Sequence, residues 1–265
     1  MTVLRERVTD SFLLSIYLNT LKPGKRQVKS AVLVFHSSPA LLERVLRTHP
    51  EIEFVQIALN PIDWDSEFVA AKACYNLIRK YGKEVIVMEA VKGGGLTKLP
   101  LAAEKILKDV CPDKSIASWS IRFASQLEGV IAVLSGMSDL EQVMDNCKTS
   151  NEARAFSEEE EQALWEAMAI YRNCTPIPPV ELEKYRGLTW NGISVYAILQ
   201  AYSICLVQPN QAIIDDNNYF KNLLAEHAHL DIYKELPEQR VIRADGMDAT
   251  YIVEEAVNYL QRNTF

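Results

Sequence analysis

No apolar run in these 265 residues approaches the roughly 18 needed to cross a bilayer, and the opening MTVLRERVTD has no apolar segment of the kind a secretory leader carries. Neither membrane spanning nor secretion is expected. C-x-x-C pairs are missing too: Cys74, Cys111, Cys147, Cys174 and Cys205 are odd in number and widely spaced, a pattern of free thiols in a reducing compartment, so a cytoplasmic protein is expected. A basic excess is also lacking. With 28 Lys and Arg against 35 Asp and Glu, the net charge of −7 excludes a surface built for nucleic-acid phosphates. The one basic run, residues 22–29 (KPGKRQVK), holds a Pro-Gly turn and no aromatics and reads as a solvated loop. Histidines are few, and His227 and His229, two apart on a predicted helix, point to different sides, unlike a metal pair. The four tryptophans fall in separate segments, so their spacing makes no stacking platform.

What the chain does have is an ordinary globular composition, 48% hydrophobic and 24% charged, arranged as a repeated strand-then-helix pattern. Residues 11–21 and 28–35 read as strands, and Ser37-Ser38-Pro39 opens a helix over ALLERVLRTH. Residues 53–59 form the next strand, with a helix over 67–81 stopped by Gly82. Residues 85–89 form another, followed by a glycine loop at 93–95 and helices over 101–110 and 115–127. Residues 130–146, VIAVLSGMSDLEQVMDN, then give strand, tight turn and amphipathic helix, with Ser138 as N-cap and Glu141 three residues on. Four βα units in succession imply parallel strands covered by helices, in a β/α barrel or an open doubly wound sheet. Glutamates 158–161 start a helix that runs to about 171, CTPIPP at 174–179 cannot be helical, and helices over 193–206, 219–229 and 250–262 follow without a strong strand signal. A partial barrel over 1–172 and a mainly helical extension over 173–265 is therefore the predicted organisation.

The ordered segments GKRQVKSAVLVFHSSP, FVQIALNPIDW, EVIVMEAVKGGGL and GVIAVLSGMSDLEQVMDN resemble the aldo/keto reductase family, in the branch with a ferredoxin-like extension, over residues 24–171. The resemblance implies a partial (β/α)8 barrel of four to five βα units, with a nicotinamide cofactor, NADP or NAD, across the carboxyl ends of the strands. Carried over, Gln56 faces the nicotinamide amide, the loop of Lys92, Gly93 and Gly94 follows the pyrophosphate, and Ser135, Gly136, Met137, Gln142 and Asn146 surround the adenosine end. The departures are as specific. The family's catalytic Tyr, Lys and Asp have no counterpart, its histidine position falls at Leu18 or Asn19, and its nicotinamide-binding serine aligns with Val34. Gly136 and Gln142 replace cations that grip a 2′-phosphate, so NADP is not favoured over NAD. Cys174-Thr175 runs straight into PIPP, and one cysteine cannot hold an iron–sulfur cluster. Whether the chain is an enzyme is thus left open. It reads as a dinucleotide binder without its tetrad, as a non-catalytic scaffold whose open half-barrel is covered by a second copy or a partner chain, or as a truncated reductase. His36, just past a strand, reads as a structural or substrate-lining residue.

Overall fold

The computed structural model describes residues 4–8, 12–17, 31–152, 154–207, 220, 223–224 and 239–263. The turn at 22–29, the histidine position at Leu18 or Asn19, and His227 and His229 lie outside the described residues, as does most of the predicted helix 219–229. The chain divides into two compact units. The first comprises Met1–Glu6, Leu14–Asp65 and Val69–Tyr171; the second comprises Arg7–Leu13, Ser66–Phe68 and Arg172–Phe265.

The organising element is a six-stranded sheet in the order β1 (Leu4–Val8), β2 (Phe12–Tyr17), β3 (Ala31–Phe35), β4 (Ile52–Ala58), β5 (Glu84–Met88) and β6 (Val130–Val133). Strands β3 to β6 are mutually parallel, and a helix connects or follows each: α1 (Pro39–Thr48), α2 (Ala71–Lys80), α3 (Leu101–Val110) with α4 (Ile116–Ser125), and α5 (Leu140–Asn151). This is the partial β/α barrel, in four βα units. Strand β2 departs from it: it pairs antiparallel with β3, Ser15 opposite Val34 and Tyr17 opposite Val32. A barrel's fourth strand would run parallel to the fifth, so β2 is not its equivalent.

One sheet face is fully buried, with Leu33 and Phe35, Val55 and Ile57, Val85 and Val87 all at most 3% exposed. Helix α2 packs on β4 and β5 and buries Ala71, Cys74 and Ile78, and α1 packs beside α2 and buries Leu41, Leu42, Val45 and Leu46. The other face, carrying Val34, Phe54, Gln56, Ile86 and Met88, is only half-buried. Residues with period-two spacing therefore separate into a dry face and a part-open one, where a closed barrel would bury both.

Helix boundaries follow local chemistry. Ser38 caps α1, its Oγ accepting from the Leu41 N–H at 3.3 Å, and Ser115 caps α4 the same way from Ser118 at 3.1 Å. Helix α2 begins at Ala71 and not at 67, because Ala70 takes a left-handed backbone (φ +51°) and the Ser66 hydroxyl accepts the Phe68 N–H in a tight turn. The cap of α5 is Asp139, not Ser138: its Oδ1 accepts the Gln142 N–H at 2.8 Å. Helix α6 (Glu158–Asn173) opens with a reciprocal capping box, Ser157 Oγ accepting from the Glu160 N–H and Glu160 Oε2 accepting from the Ser157 N–H.

In the second unit, CTPIPP is held by Ser203, whose Oγ accepts the Ile177 N–H at 2.8 Å and donates to the Ile177 carbonyl. Helix α7 (Pro179–Leu182) leads to a hairpin, β7 (Thr189–Trp190) with β8 (Ile193–Ser194), which the sequence reading did not anticipate. Its signal was the Asn191-Gly192 pair, both at positive φ (+47° and +82°), the geometry of a two-residue hairpin turn. Helix α8 (Val195–Val207) is apolar on nearly all sides and buried accordingly. The Tyr202 hydroxyl on α8 donates to Glu255 at 2.7 Å, and burial together with that carboxylate pushes the Tyr202 pKa up to about 12. Glu255 belongs to the helix Thr250–Asn263. No described helix is long and apolar enough to cross a membrane.

Candidate functional site

Each parallel strand of the first unit ends in a polar residue within two positions of its carboxyl end: His36 after β3, Asn60 after β4, Glu89 after β5 and Ser135 after β6. In parallel sheets this is the edge at which ligands bind, because the loops there connect to helix N-termini.

After β4 the chain turns through Asn60-Pro61-Ile62-Asp63, closed by the Asp63 N–H donating to Asn60 Oδ1 at 2.9 Å. Asn60 Nδ2 donates both to Asp63 Oδ2 (2.8 Å) and to the Glu89 carbonyl (3.1 Å), tying this turn to the end of β5. Lys92 Nζ donates to the same Asp63 oxygen at 2.7 Å, and both side chains of this ion pair are 3% exposed. A charge pair so far from water is retained only where neighbouring donors and acceptors satisfy it, as Asn60 does here.

The β5 loop is strained to make this arrangement. Glu89 and Lys92 take left-handed backbones (φ +58° and +49°), as do Gly93 and Gly94 (φ +61° and +90°). For a non-glycine residue that conformation costs about 1–2 kcal/mol. The Lys92 N–H donates to the Glu89 carbonyl at 2.9 Å and the Gly94 N–H to that of Val91 at 3.0 Å, fixing the turn. Glu89 Oε2 is buried without a hydrogen-bond partner. Burial pushes the Glu89 carboxyl above its ordinary value and the Asp63 charge adds to this, while Lys92 and the Gly93 N–H act in the opposite sense.

Gln56 sits in mid-sheet, between Val34 on β3 and Ile86 on β5, and its Nε2 reaches Met88 Sδ at 3.3 Å. On the β6 side, Asn146 Nδ2 donates to Ser135 Oγ at 2.9 Å, joining the turn to α5. Gln142 is engaged locally: its Nε2 donates to Asp139 Oδ2 (2.8 Å) and its Oε1 accepts the Ser138 N–H (3.0 Å). Met137 is exposed, and a side chain built at Gly136 or Gly94 would meet no atom within 4 Å. The structure thus joins Ser135 with Asn146 and Lys92 with the β4 turn.

Asn60, Asp63 and Glu89 were not singled out from sequence. The Asn-x-x-Asp spacing was a sign of the turn, and an acid terminating the apolar strand VIVM was a sign of Glu89. For a dinucleotide, the fit is divided. Open backbone at Gly94 and Gly136 suits close approach by phosphate. The loop cation does not, because Lys92 is spent on Asp63. Among the described residues no group of three or more His, Cys, Asp and Glu side chains forms a metal site.

No protein-family model matches the chain, and none of the curated proteins does. Among solved structures it is similar to aldo-keto reductase AKR11C1 from Bacillus halodurans in its holo form, at 22% identity over 49% of this chain and 48% of that one, with a TM-score of 0.39. It is similar to a thermostable aldo-keto reductase, Tm1743, determined with the inhibitor epalrestat, at 20% identity over 48% and 44% of the two chains and a TM-score of 0.39. The chain spans about half the length of the solved structures it matches.

Proposed function

We propose that this chain is an aldo/keto-reductase-like protein that binds a nicotinamide dinucleotide along the carboxyl ends of β4, β5 and β6 and does not by itself carry out carbonyl reduction. The observation that carries the reading is the row of strand-end residues, Asn60, Glu89 and Ser135, standing beside open glycine backbone at Gly94 and Gly136. The Lys92–Gly94 loop lies along the pyrophosphate, and the phosphate oxygens are held by backbone N–H groups of the Gly136–Met137 turn, since the N–H groups of Gly93 and Gly94 are engaged within their own loop. The Ser135–Asn146 pair faces the adenosine end, and Gln56 gives up its Met88 contact for the nicotinamide amide. The cofactor supplies a hydride; a proton donor for a carbonyl oxygen is what the missing tyrosine would have provided, a loss of about 10²–10⁴-fold. With Lys92 held by Asp63, neither NADP nor NAD is preferred. The proposed division is a barrel-like part over 1–172 and a mainly helical extension over 173–265, in a cytoplasmic protein whose five cysteines are free.

The test is a titration with NADPH and with NADH followed by cofactor fluorescence. Saturable binding is expected, weakened about tenfold by Ser135→Ala or Asn146→Ala, which is about 1.4 kcal/mol. No change in fluorescence at large cofactor excess rejects the reading.

A second reading, a scaffold, has its own observation. Ile131, Leu134, Leu140 and Met144 on β6 and α5 are 45–72% exposed, an apolar stripe beside a sheet edge with a neighbour on one side only. In this reading a second copy or a partner chain covers that stripe. Light scattering separates the two occupants: a dimer that Leu140→Glu with Met144→Glu converts to monomer supports the second copy, and a monomeric parent protein removes it.

A further inference from the structure

Away from the strand ends, Lys114, Ser118, Arg122, Thr149, Glu152 and Arg154 line a small crevice between α4 and the end of α5. Its volume of about 30 Å³ holds two or three water-sized groups. Three cations meet there. Arg122, 4% exposed, forks onto the buried Glu160 through Nη1 (3.0 Å) and Nη2 (3.2 Å), and Arg154 forks onto the same carboxylate at 2.7 and 3.0 Å. Lys114 is paired with Glu152. Two guanidinium groups and one ammonium therefore face two carboxylates, leaving one positive charge in excess.

The donor count points the same way. Arg122 Nε is buried and has no hydrogen-bond partner, although the two other guanidinium nitrogens are used. A buried N–H left unpaired costs about 1–3 kcal/mol, more on a charged group. Ser118 spends its hydroxyl proton on the Ser115 carbonyl at 2.6 Å, so the buried Thr149 is the hydroxyl that remains in the lining. The stacking of Arg122 on Phe156, 4.4 Å from guanidinium carbon to ring centre, holds its plane fixed.

We infer that this crevice is a binding site for a phosphate-type oxyanion. Two oxygens of the group fill the crevice against Arg122, Lys114 and Thr149, Arg154 covers them from its exposed position, and the anion takes Lys114 from Glu152, a half-exposed carboxylate that returns to water. The anion supplies the missing negative charge. Free phosphate and a phosphate monoester share this chemistry.

Isothermal titration calorimetry on the full chain tests it, with inorganic phosphate and with phenyl phosphate in chloride-matched ionic strength. Saturable binding of inorganic phosphate is expected, weakened about tenfold or more by Lys114→Met and by Arg154→Gln. Equal binding of phenyl phosphate identifies a monoester as the natural occupant, and its exclusion identifies free phosphate. No heat beyond the chloride control, or variants that bind as tightly as the parent, overturns the site. Arg154 also supports Glu160, so if Arg154→Gln fails to fold, Lys114→Met alone decides, with its circular dichroism spectrum showing that the fold is kept.

Discussion

Glu89 carries a carboxyl that burial keeps protonated above its ordinary pKa of 4.5. In the unfolded chain the proton leaves near that ordinary value, so above it the unfolded state binds fewer protons than the native one and stability falls as pH rises through the raised value. Glu89→Gln removes the ionisation but keeps the shape. Urea titrations at pH values from the ordinary carboxylate range upward are expected to show the parent protein losing stability relative to the variant as the pH rises. A parallel slope in both proteins would show that Glu89 is not the group responsible. Lys92 and Asp63 behave oppositely: removing one partner strands a buried charge, so Lys92→Met is expected to cost about 3–5 kcal/mol in urea unfolding, and adding Asp63→Asn to recover much of it. Lys92 was legible in sequence as part of a glycine loop, but its partner was not. The two stand 29 residues apart, on different loops, and only the parallel pairing of β4 with β5 brings them together.

At the scale of elements, the strand-and-helix units were readable because hydrophobic period and capping residues agree, as at Ser38 with Pro39 and at Ser157 with Glu160. Three features were not. Ser138 offered the right side chain for the α5 cap, but Asp139, one residue nearer the helix, wins by accepting from Gln142 with a full charge at the positive helix end. Two-residue strands leave no alternation to read, so β7 and β8 were visible only in their turn. The direction of β2 was invisible for another reason, since an apolar strand looks the same parallel or antiparallel. The start of α6 gives a further prediction. Burial would raise the Glu160 pKa, yet Arg122, the Ser157 N–H and Arg154 together hold it well below the usual carboxylate range. Its stabilisation is therefore present above pH 4.5 and lost as acid protonates it. Glu160→Gln is expected to destabilise the protein by about 3–5 kcal/mol at pH 7, with the difference narrowing in acid, read by thermal and urea unfolding at both pH values.

For the molecule as a whole, half of a β/α barrel is joined in sequence to a unit built on different terms. Polar strand ends in the first unit cluster where ligands of parallel sheets sit, while its half-buried sheet face and uncovered β6 show how much of a closed barrel's burial is absent. The second unit gains its core from α8, buried on most sides, and from the helix that supplies Glu255.

The sheet order also sets a clock. Strand β4 is hydrogen-bonded to parallel neighbours on both sides, whereas the four-residue β6 is bonded to β5 alone. Amide deuterium uptake should therefore run inward from β6, reaching Val55 and Ile57 last, at the rate of global opening. A partner laid against β6 would stop that clock at its first tick, slowing uptake at Ile131 and Val133 before any other part of the chain responds.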